Sequence, residues 1–520
     1  MKSFSLLASA GLATLASLPL TMAGVITPSY FDKHPLSRRQ LSDAQVQREL
    51  GPQLSRGATI IGPGGPGWDD AIERFDNESR PTIRLVVVPA VESDIATVVK
   101  LANRFGIPFL VKNRGHALTN TIGRFRGIQI DMSRLTTITI QPGEPAESAW
   151  FQGGAWDKQA IEYLWDRGYV TVTGSCDCVG MMGPGLGGGH GRYQGLYGLI
   201  SDNLINMNVV LADGSAVRVN ATSNPDLWWG MQGAGHNLGI VTSFQSKIYP
   251  RKIDTWHYHS YTYTQDKLEA VFGALNTFHG NGDGSTPVLM GLNTGGFYID
   301  PSVSQTEPVV SWVFGYAGPA SEAEALLEPF SRLGPAAEQS GDVPYPGVAT
   351  AMGTGQDQPL CQPGDAHVQV TSQFNVYNAT AERALYQLFN RTIAAHPQLA
   401  DSVAFHEGYS TAAVDRADPS ASAVAFRDRK LLMFFDARLK PADAADPEVL
   451  GMAREFGRQV RRIWNEGAPD LKPATYVNYA AGDEPLESMY GYDAARLRRL
   501  RNIKRKYDPH GRFVYYNPIA

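Results

Sequence analysis

The sequence predicts an α+β protein with more than one structural unit. Its 520 residues exceed the roughly 250–300 residues at which a single hydrophobic core stops growing. Between residues 80 and 251, helical periodicity, as in 92–105, alternates with short β-rich runs such as 84–88. From 252 to 474 the pattern changes to six alternating, strand-like runs and three helical segments. The strand-like runs are 256–263, 288–298, 309–316, 368–376, 402–409 and 430–438, and the helical segments are 321–333, 380–396 and 447–466. We therefore expect a second unit built as an antiparallel sheet covered by helices.

Two glycine-rich segments stand out in the first unit. Lys112 to His116 follow the apolar run 108–111, and a second segment runs from Gly174 through Cys176 to Gly191. A strand that ends at a glycine turn leaves backbone N–H groups exposed and lets the chain approach a phosphate closely. Both segments are typical of an anion-binding cradle, although a single glycine loop is also a common surface turn.

Further segments follow these two in a fixed order along the chain, and they occupy residues 127–135, 151–155, 198–204, 206–214 and 226–242. Together the segments resemble the PCMH-type FAD-binding domain of the berberine-bridge-enzyme-like FAD-linked oxidases, within the vanillyl-alcohol-oxidase superfamily. The resemblance covers residues 80–251. Residues 475–479 resemble the family's Tyr-x-Asn-Tyr motif, so we expect residues 475–520 to pack back on the FAD-binding domain, and residues 252–474 to form the substrate domain.

The resemblance implies FAD bound covalently, through His116 to the 8α-methyl group and through Cys176 to C6 of the flavin. Without the resemblance, His116 is a turn histidine and Cys176 a small buried thiol. Val179 stands where the family controls oxygen access, and a small β-branched residue there favours an oxidase over a dehydrogenase. The other implied cofactor contacts are Asn113, Arg114, Gly115, Gly180, Gly183, Gly188, Gly239, Ile240, Val241 and Asn517.

Oxidation of an alcohol by a flavin requires a base, because the hydroxyl proton leaves while hydride goes to the cofactor. Tyr476 is the first candidate by its motif position, Tyr197 is the second, and Glu407 on the predicted strand 402–409 is the third. A tyrosine has an ordinary pKa near ~10, so it serves as a base only where its surroundings lower that value. Most of the chain's 22 tyrosines are expected to be core or rim residues.

The cysteines and histidines leave two questions open. Three cysteines exclude a scaffold built on disulfides. With Cys176 assigned to the flavin, Cys178 and Cys361 either form a disulfide or remain two buried thiols. His190 stands where many relatives carry an aromatic residue, so it either shapes an unusual pocket or is a satisfied loop residue. His257 and His259 lie on one strand face without a third ligand nearby in the sequence, so we expect no metal site.

The N-terminus predicts export from the cell. An uncharged apolar stretch at residues 4–20 precedes small residues before Gly24, which is typical of a signal peptide over residues 1–23. No later segment is long and apolar enough for a membrane span. Asn-x-Ser/Thr sequons at Asn77, Asn220, Asn378 and Asn390 are compatible with glycosylation. The net charge of −5 argues against a nucleic-acid partner, and we expect a monomer.

We therefore expect a secreted FAD-linked oxidoreductase that oxidises an alcohol or similar C–H/O–H group of a small secondary-metabolite intermediate. The acceptor would be O2, which is reduced to H2O2. Two alternatives remain: an oligosaccharide oxidase, and a flavin-fold protein with a mainly binding or non-redox role, because a fold does not fix a function.

Overall fold

The structure, a computed structural model, describes residues 41–280 and 286–519. The expected signal peptide, residues 1–23, lies outside the described residues. Among the described residues, no helix is long and apolar enough to cross a membrane. The strands of the described chain form sheets of four, five, two and seven strands.

The four-stranded sheet carries the first glycine-rich segment at one strand end. Its strands are β1 (Thr59–Ile61), β2 (Thr82–Val88), β3 (Phe109–Lys112) and β4 (Arg126–Asp131), in the order β1-β2-β4-β3. β4 pairs in parallel with β2 and β3, and the helix Glu92–Arg104 makes the crossover between β2 and β3. Because β3 ends at Lys112, the residues from Asn113 to His116 emerge at the carboxyl edge of this sheet.

The second sheet of the first unit has five strands and is antiparallel. The strands that follow in the chain are β5 (Ile138–Ile140), β6 (Ser148–Gln152), β7 (Tyr169–Val170), β8 (Leu204–Val210), β9 (Ala216–Val219), β10 (Ile240–Lys247) and β11 (Tyr249–Pro250). The order β5-β6-β10-β8-β9 forms the sheet, while β7 and β11 pair with each other. β10 lies at its centre, so the residues that open β10 are buried and fixed from both sides.

The second unit is one seven-stranded antiparallel sheet. Its strands are β12 (Trp256–Tyr263), β13 (Met290–Tyr298), β14 (Val309–Tyr316), β15 (Ala337–Val343), β16 (Ala366–Phe374), β17 (Val403–Gly408) and β18 (Leu431–Leu439). The order is β15-β12-β14-β13-β17-β18-β16. Sequence alternation predicted every strand except β15, an edge strand whose residues are mostly exposed and polar.

Helices cover one face of this sheet and leave the other face to the first unit. The covering helices are Leu268–Phe278, Ala320–Ser331, Ala379–Ala395 and Pro447–Glu466. Phe272 and Phe456 from these helices share one core with Trp312 of β14. On the opposite face, Leu292 and Leu432 pack with residues from outside the sheet. The expected α+β fold, with helices over an antiparallel sheet, is confirmed.

The remaining helices are short or lie at the ends of the described chain. They are Asp43–Leu50, Trp68–Ile72, Asp157–Trp165, Met182–Gly185, Gln194–Tyr197, Pro225–Ala234, Tyr345–Ala351, Pro441–Ala444, Leu486–Tyr490 and Ala494–Tyr507. Local capping explains where several helices begin. The side chain of Asn378, for example, accepts N–H bonds from Thr380 and Ala381 at the first turn of its helix.

The C-terminal segment packs on the first unit. Leu497, Leu500 and Ile503 from the last helix share a core with Met207 and Phe244 of the five-stranded sheet. In the same helix, the buried Lys504 ammonium donates to the carbonyl of Asn237 at 2.9 Å, to the carbonyl of Phe513 at 2.7 Å and to Asp508 at 2.6 Å. These bonds fix the chain that follows the helix.

Candidate active site

A cavity of about 390 Å³ lies where the two units meet. Its walls come from the glycine-rich segments of the first unit, the open face of the seven-stranded sheet and the C-terminal segment. The site residues expected from the sequence that line this cavity are Asn113, Arg114, Gly115, His116, Cys176, Val179, Gly180, Gly183, Gly239, Ile240, Val241, Glu407 and Tyr476.

His116 presents a chemically free imidazole to the cavity. The chain turns at Gly115, whose φ of +77° lies in the left-handed region that favours glycine. The His116 ring stacks on Phe75 with centroids 5.0 Å apart. Both ring nitrogens are buried, and neither has a hydrogen-bond partner among the described residues. Burial, helped by the nearby Arg114 charge, lowers the pKa of His116 to about 4, so the ring is neutral and keeps a lone pair for bonding.

Cys176 is the free thiol of this cavity, because the other two cysteines are bonded to each other. Cys178 and Cys361 form a disulfide with their Cα atoms 5.7 Å apart, which settles the question that the sequence left open. Burial, together with the negative charge of Glu407, raises the pKa of the Cys176 thiol to about 12. The disulfide also ties the wall that carries Cys176 to the turn Pro359–Cys361, ahead of β16.

The side chain of Asn113 packs closely against the backbone of Gly180 in the cavity wall. The amide nitrogen of Asn113 donates to the carbonyls of Gly153 at 3.0 Å and Ala155 at 3.1 Å. A Cβ atom on Gly180 would lie 2.4 Å from that nitrogen, so only glycine fits there. Arg114 donates to the carbonyl of Cys178 at 3.3 Å. These residues hold the wall backbone in place.

The structure does not bring three of the expected residues to the cavity. Tyr197 stacks its ring on Tyr249 at a centroid distance of 3.6 Å, and this packing turns it away from the cavity that Tyr476 and Glu407 line. Gly188 lines a separate cavity of about 30 Å³. Asn517 is fully buried, where it accepts a bond from Thr119 and donates to Val477, so it cross-links backbone segments instead.

Glu407 forms the polar centre of the sheet-side wall. Its two carboxylate oxygens accept bonds from the hydroxyls of Tyr409 and Tyr479, each at 2.8 Å. Burial raises the pKa of Glu407 above its ordinary value, while the two hydroxyl donors act in the opposite direction. The sequence reasoning missed both tyrosines. Tyr409 follows Glu407 by two residues, the spacing of one strand face, and Tyr479 closes the Tyr-x-Asn-Tyr motif, so signals for both were present.

Tyr476 lies against His190 at the edge of the same cavity. Its phenolic oxygen accepts bonds from the side-chain amide of Asn478 at 2.7 Å and from the backbone N–H of His190 at 3.3 Å. Burial nevertheless raises the pKa of Tyr476, because it outweighs these donors. Burial lowers the pKa of His190 to about 4, and the ring bonds Gln194 at 2.7 Å. His190 is therefore both a satisfied residue and part of the pocket wall. At neutral pH the carboxyl of Glu407 ionises far more readily than the hydroxyl of Tyr476.

Known proteins place the chain in a family. The family described as "FAD binding domain" matches residues 83–220, and "Berberine and berberine like" matches residues 475–520. The chain is 47% identical over 484 residues to the FAD-linked oxidoreductase anuG of Penicillium roqueforti, which covers 93% of this chain and 94% of that protein. The chain belongs to the berberine-bridge-enzyme-like FAD-linked oxidoreductases.

Solved structures agree on the fold of this FAD-linked oxidoreductase. GilR, described as an oxidoreductase that catalyses the terminal step of gilvocarcin biosynthesis, superimposes with a TM-score of 0.76 at 19% identity, over 89% of this chain and 100% of that one. The xylooligosaccharide oxidase of Myceliophthora thermophila superimposes with a TM-score of 0.73 at 20% identity, over 92% and 98%. At these identities the likeness shows the fold alone.

The cavity of the oxidoreductase fits the FAD cofactor of its family. A Cβ atom on Gly180 would meet the side chain of Asn113 and one on Gly239 would meet Val209, so these glycines let the backbone of the cavity wall pack closely. The unpartnered ring nitrogens of His116 and the free thiol of Cys176 lie in the same walls. His116, Cys176 and the glycine-rich walls would hold FAD, which would supply a hydride acceptor in this cavity.

Proposed function

We propose that this FAD-linked oxidoreductase is a secreted, monomeric oxidase of a small secondary-metabolite intermediate. It would oxidise an alcohol or similar C–H/O–H group and pass the electrons to O2, giving H2O2. The observation that carries the proposal is the Glu407 carboxylate, which lies between two tyrosine hydroxyls in the cavity that His116 and Cys176 line. Bound FAD supplies the hydride acceptor.

The sheet-side wall supports an apolar or aromatic substrate. Half-buried apolar side chains line the cavity together with Glu407; they are Leu360, Val403, Phe405 and Phe434. An oligosaccharide would present many hydroxyl groups to this wall, and unpaired hydroxyls are costly to bury. The wall therefore favours an aromatic or polyketide-like alcohol over the alternative sugar substrate. The ionisable carboxylate of Glu407 at the centre of the wall argues against a purely binding role.

We assign distinct roles to the polar groups. Glu407 accepts the proton of the substrate hydroxyl, because its carboxyl is the group in this wall that ionises most readily. Tyr476 accepts two N–H bonds on its oxygen, so its own proton remains available to donate to the substrate oxygen. Tyr409 and Tyr479 hold the carboxylate in one orientation.

The proposal includes two covalent bonds to the flavin, from His116 and from Cys176. A covalent cofactor does not dissociate, which suits a secreted enzyme. We expect acid-precipitated protein to give a yellow pellet and a colourless supernatant, as measured by flavin absorbance in both fractions. His116→Ala or Cys176→Ala alone should leave the flavin in the pellet, whereas the double variant should release all of it. Flavin in the supernatant of the parent protein would contradict the proposal.

The substrate class is tested by peroxide release. Purified protein in air-saturated buffer is supplied with aromatic and polyketide-type alcohols and, in parallel, with xylo- and chitooligosaccharides. We expect H2O2 release and bleaching of the flavin with members of the first group, because the wall around Glu407 is apolar. Turnover confined to the oligosaccharides would support the alternative oxidase function, and the absence of bleaching with every compound would leave the binding role.

The base is tested by variants of three residues. Glu407→Gln should keep the flavin and slow its anaerobic reduction by about 10² to 10⁴-fold, the usual effect of losing a general base. Tyr476→Phe should also slow reduction, since it removes the donor to the substrate oxygen. Tyr197→Phe is the matched control and should react at the parent rate, because Tyr197 packs on Tyr249 outside the cavity.

The pH dependence of reduction separates Glu407 from Tyr476 in the same stopped-flow measurement. The base must be deprotonated, so the rate should fall as the pH drops below the pKa of Glu407, which burial raises above its ordinary value. In Glu407→Gln this acidic limb should disappear. A rate that instead rises only in the alkaline range of tyrosine, and that persists in Glu407→Gln, would move the role of the base to Tyr476.

Oxygen use is tested at Val179, which lines the cavity and is half-buried. Val179→Ile and Val179→Leu add one methylene beside the proposed oxygen path. We expect reoxidation of the reduced flavin in air to slow, while anaerobic reduction by substrate stays near the parent rate. Stopped-flow absorbance measures the two half-reactions separately. Unchanged reoxidation would make Val179 a packing residue and would point to an electron acceptor other than O2.

A further inference from the structure

Two histidines and a glutamate converge on the helix-covered face of the seven-stranded sheet. His257 and His259 are neighbours on one face of β12 and are buried. Glu324 reaches them from the helix Ala320–Ser331. Its Oε1 atom lies 2.8 Å from Nε2 of His257 and 2.8 Å from Nδ1 of His259. The three potential ligand atoms all lie within 4.8 Å of one another.

The second nitrogen of each imidazole contacts a separate carboxylate on the edge strand β15. Nδ1 of His257 lies 2.7 Å from Asp342, and Nε2 of His259 lies 3.3 Å from Glu338. In metal sites, a ligating histidine commonly donates its other N–H to a carboxylate, which fixes the tautomer and the orientation of the ring. Both rings of this cluster have that arrangement.

Hydrogen-bond accounting favours a cation between the rings. An ionised carboxylate only accepts hydrogen bonds. The two rings lie with centroids 6.1 Å apart, and each presents one nitrogen to the same oxygen of Glu324. The hydroxyl of Tyr261 lies 3.0 Å from Nδ1 of His259 and 3.0 Å from Ser331, so it can also donate to that nitrogen while it accepts from the serine hydroxyl. A cation between the rings would take the lone pairs of Nε2 of His257 and Nδ1 of His259 together with Oε1 of Glu324, while the other ring nitrogens donate to Asp342 and Glu338.

We propose that His257, His259 and Glu324 bind one zinc ion, with Asp342 and Glu338 orienting the two imidazoles. Two imidazole nitrogens and one carboxylate oxygen are a donor set that zinc accepts, with a fourth position left for water. Glu324 is 39% exposed, so an ion can reach the site from solvent. The ion would fasten the helix Ala320–Ser331 and the edge strand β15 to β12. The third ligand escaped sequence reasoning because Glu324 is 65 residues from His259.

This site is separate from the flavin cavity. His257 and His259 share the strand face of Tyr261, which packs under the helices, whereas Tyr258 points to the opposite face. Zinc binding therefore does not depend on the proposed oxidase function, and flavin absorbance reports independently on whether a variant has folded.

The test is zinc stoichiometry of the tag-free full chain after dialysis against Zn²⁺ and then against metal-free buffer. We expect about one zinc per chain, and a thermal midpoint that a chelator lowers. The paired variant His257→Gln with His259→Gln should keep its flavin, bind less than about a tenth as much zinc, and show no response of its thermal midpoint to chelator. Glu328→Gln, on an exposed position of the same helix, is the matched control and should bind zinc like the parent.

Asp342→Ala separates a metal site from a cluster of ion pairs. It removes only the carboxylate that orients His257, so it should weaken zinc affinity by about 10–100-fold without abolishing binding. Equilibrium dialysis over a range of free Zn²⁺ measures this shift. Substoichiometric zinc in the parent at all concentrations, or full zinc in the paired histidine variant, would overturn the proposal.

Discussion

Closure of the cavity depends on the hydrogen bonds and the ion pair that the buried ammonium group of Lys504 makes. It binds two backbone carbonyls and the carboxylate of Asp508, which in turn accepts the N–H groups of Arg512 and Phe513. The chain after the helix is thereby folded back so that Phe513, Tyr515 and Tyr516 reach the cavity. Removing one partner of such a buried ion pair typically costs about 3–5 kcal/mol, because the other charge is left uncompensated. One side chain thus connects the packing of the C-terminal segment to the shape of the site.

Among the groups that line the cavity are two neutral histidines and the carboxylate of Glu407. Burial keeps His116 and His190 uncharged, so neither ring competes with a substrate for the charge of Glu407. In a site that excludes water, the attraction between a carboxylate and a hydroxyl proton is stronger than it is in bulk solvent. The two tyrosine hydroxyls offset part of the desolvation of Glu407 and fix its direction. An oriented carboxylate beside uncharged histidines is well suited to accepting one proton.

The sequence predicted much of the fold because period-two alternation is a local signal. The bounds of β12 and β14 agree with the alternating runs, whereas β15 was missed because an exposed edge strand carries no apolar alternation. Most of the cofactor contacts expected from the glycine-rich segments line the cavity. The sequence could not supply distances between residues far apart in the chain. It left the pairing of Cys178 with Cys361 open. It ranked Tyr197 second after Tyr476, but it could not show that Tyr197 stacks on Tyr249, which is a tertiary contact.

The disulfide has a consequence for how the enzyme matures. Three cysteines allow three single pairings, and only the observed one leaves Cys176 available for a bond to the flavin. Under the proposed covalent attachment, a chain oxidised through Cys176 would lose the thiol that bonds the flavin. The pairing of Cys178 with Cys361 would then have to precede, or accompany, loading of the flavin. Production in a reducing compartment would leave Cys178 and Cys361 unpaired, and the wall that carries Cys176 would lose its covalent tie to the second unit.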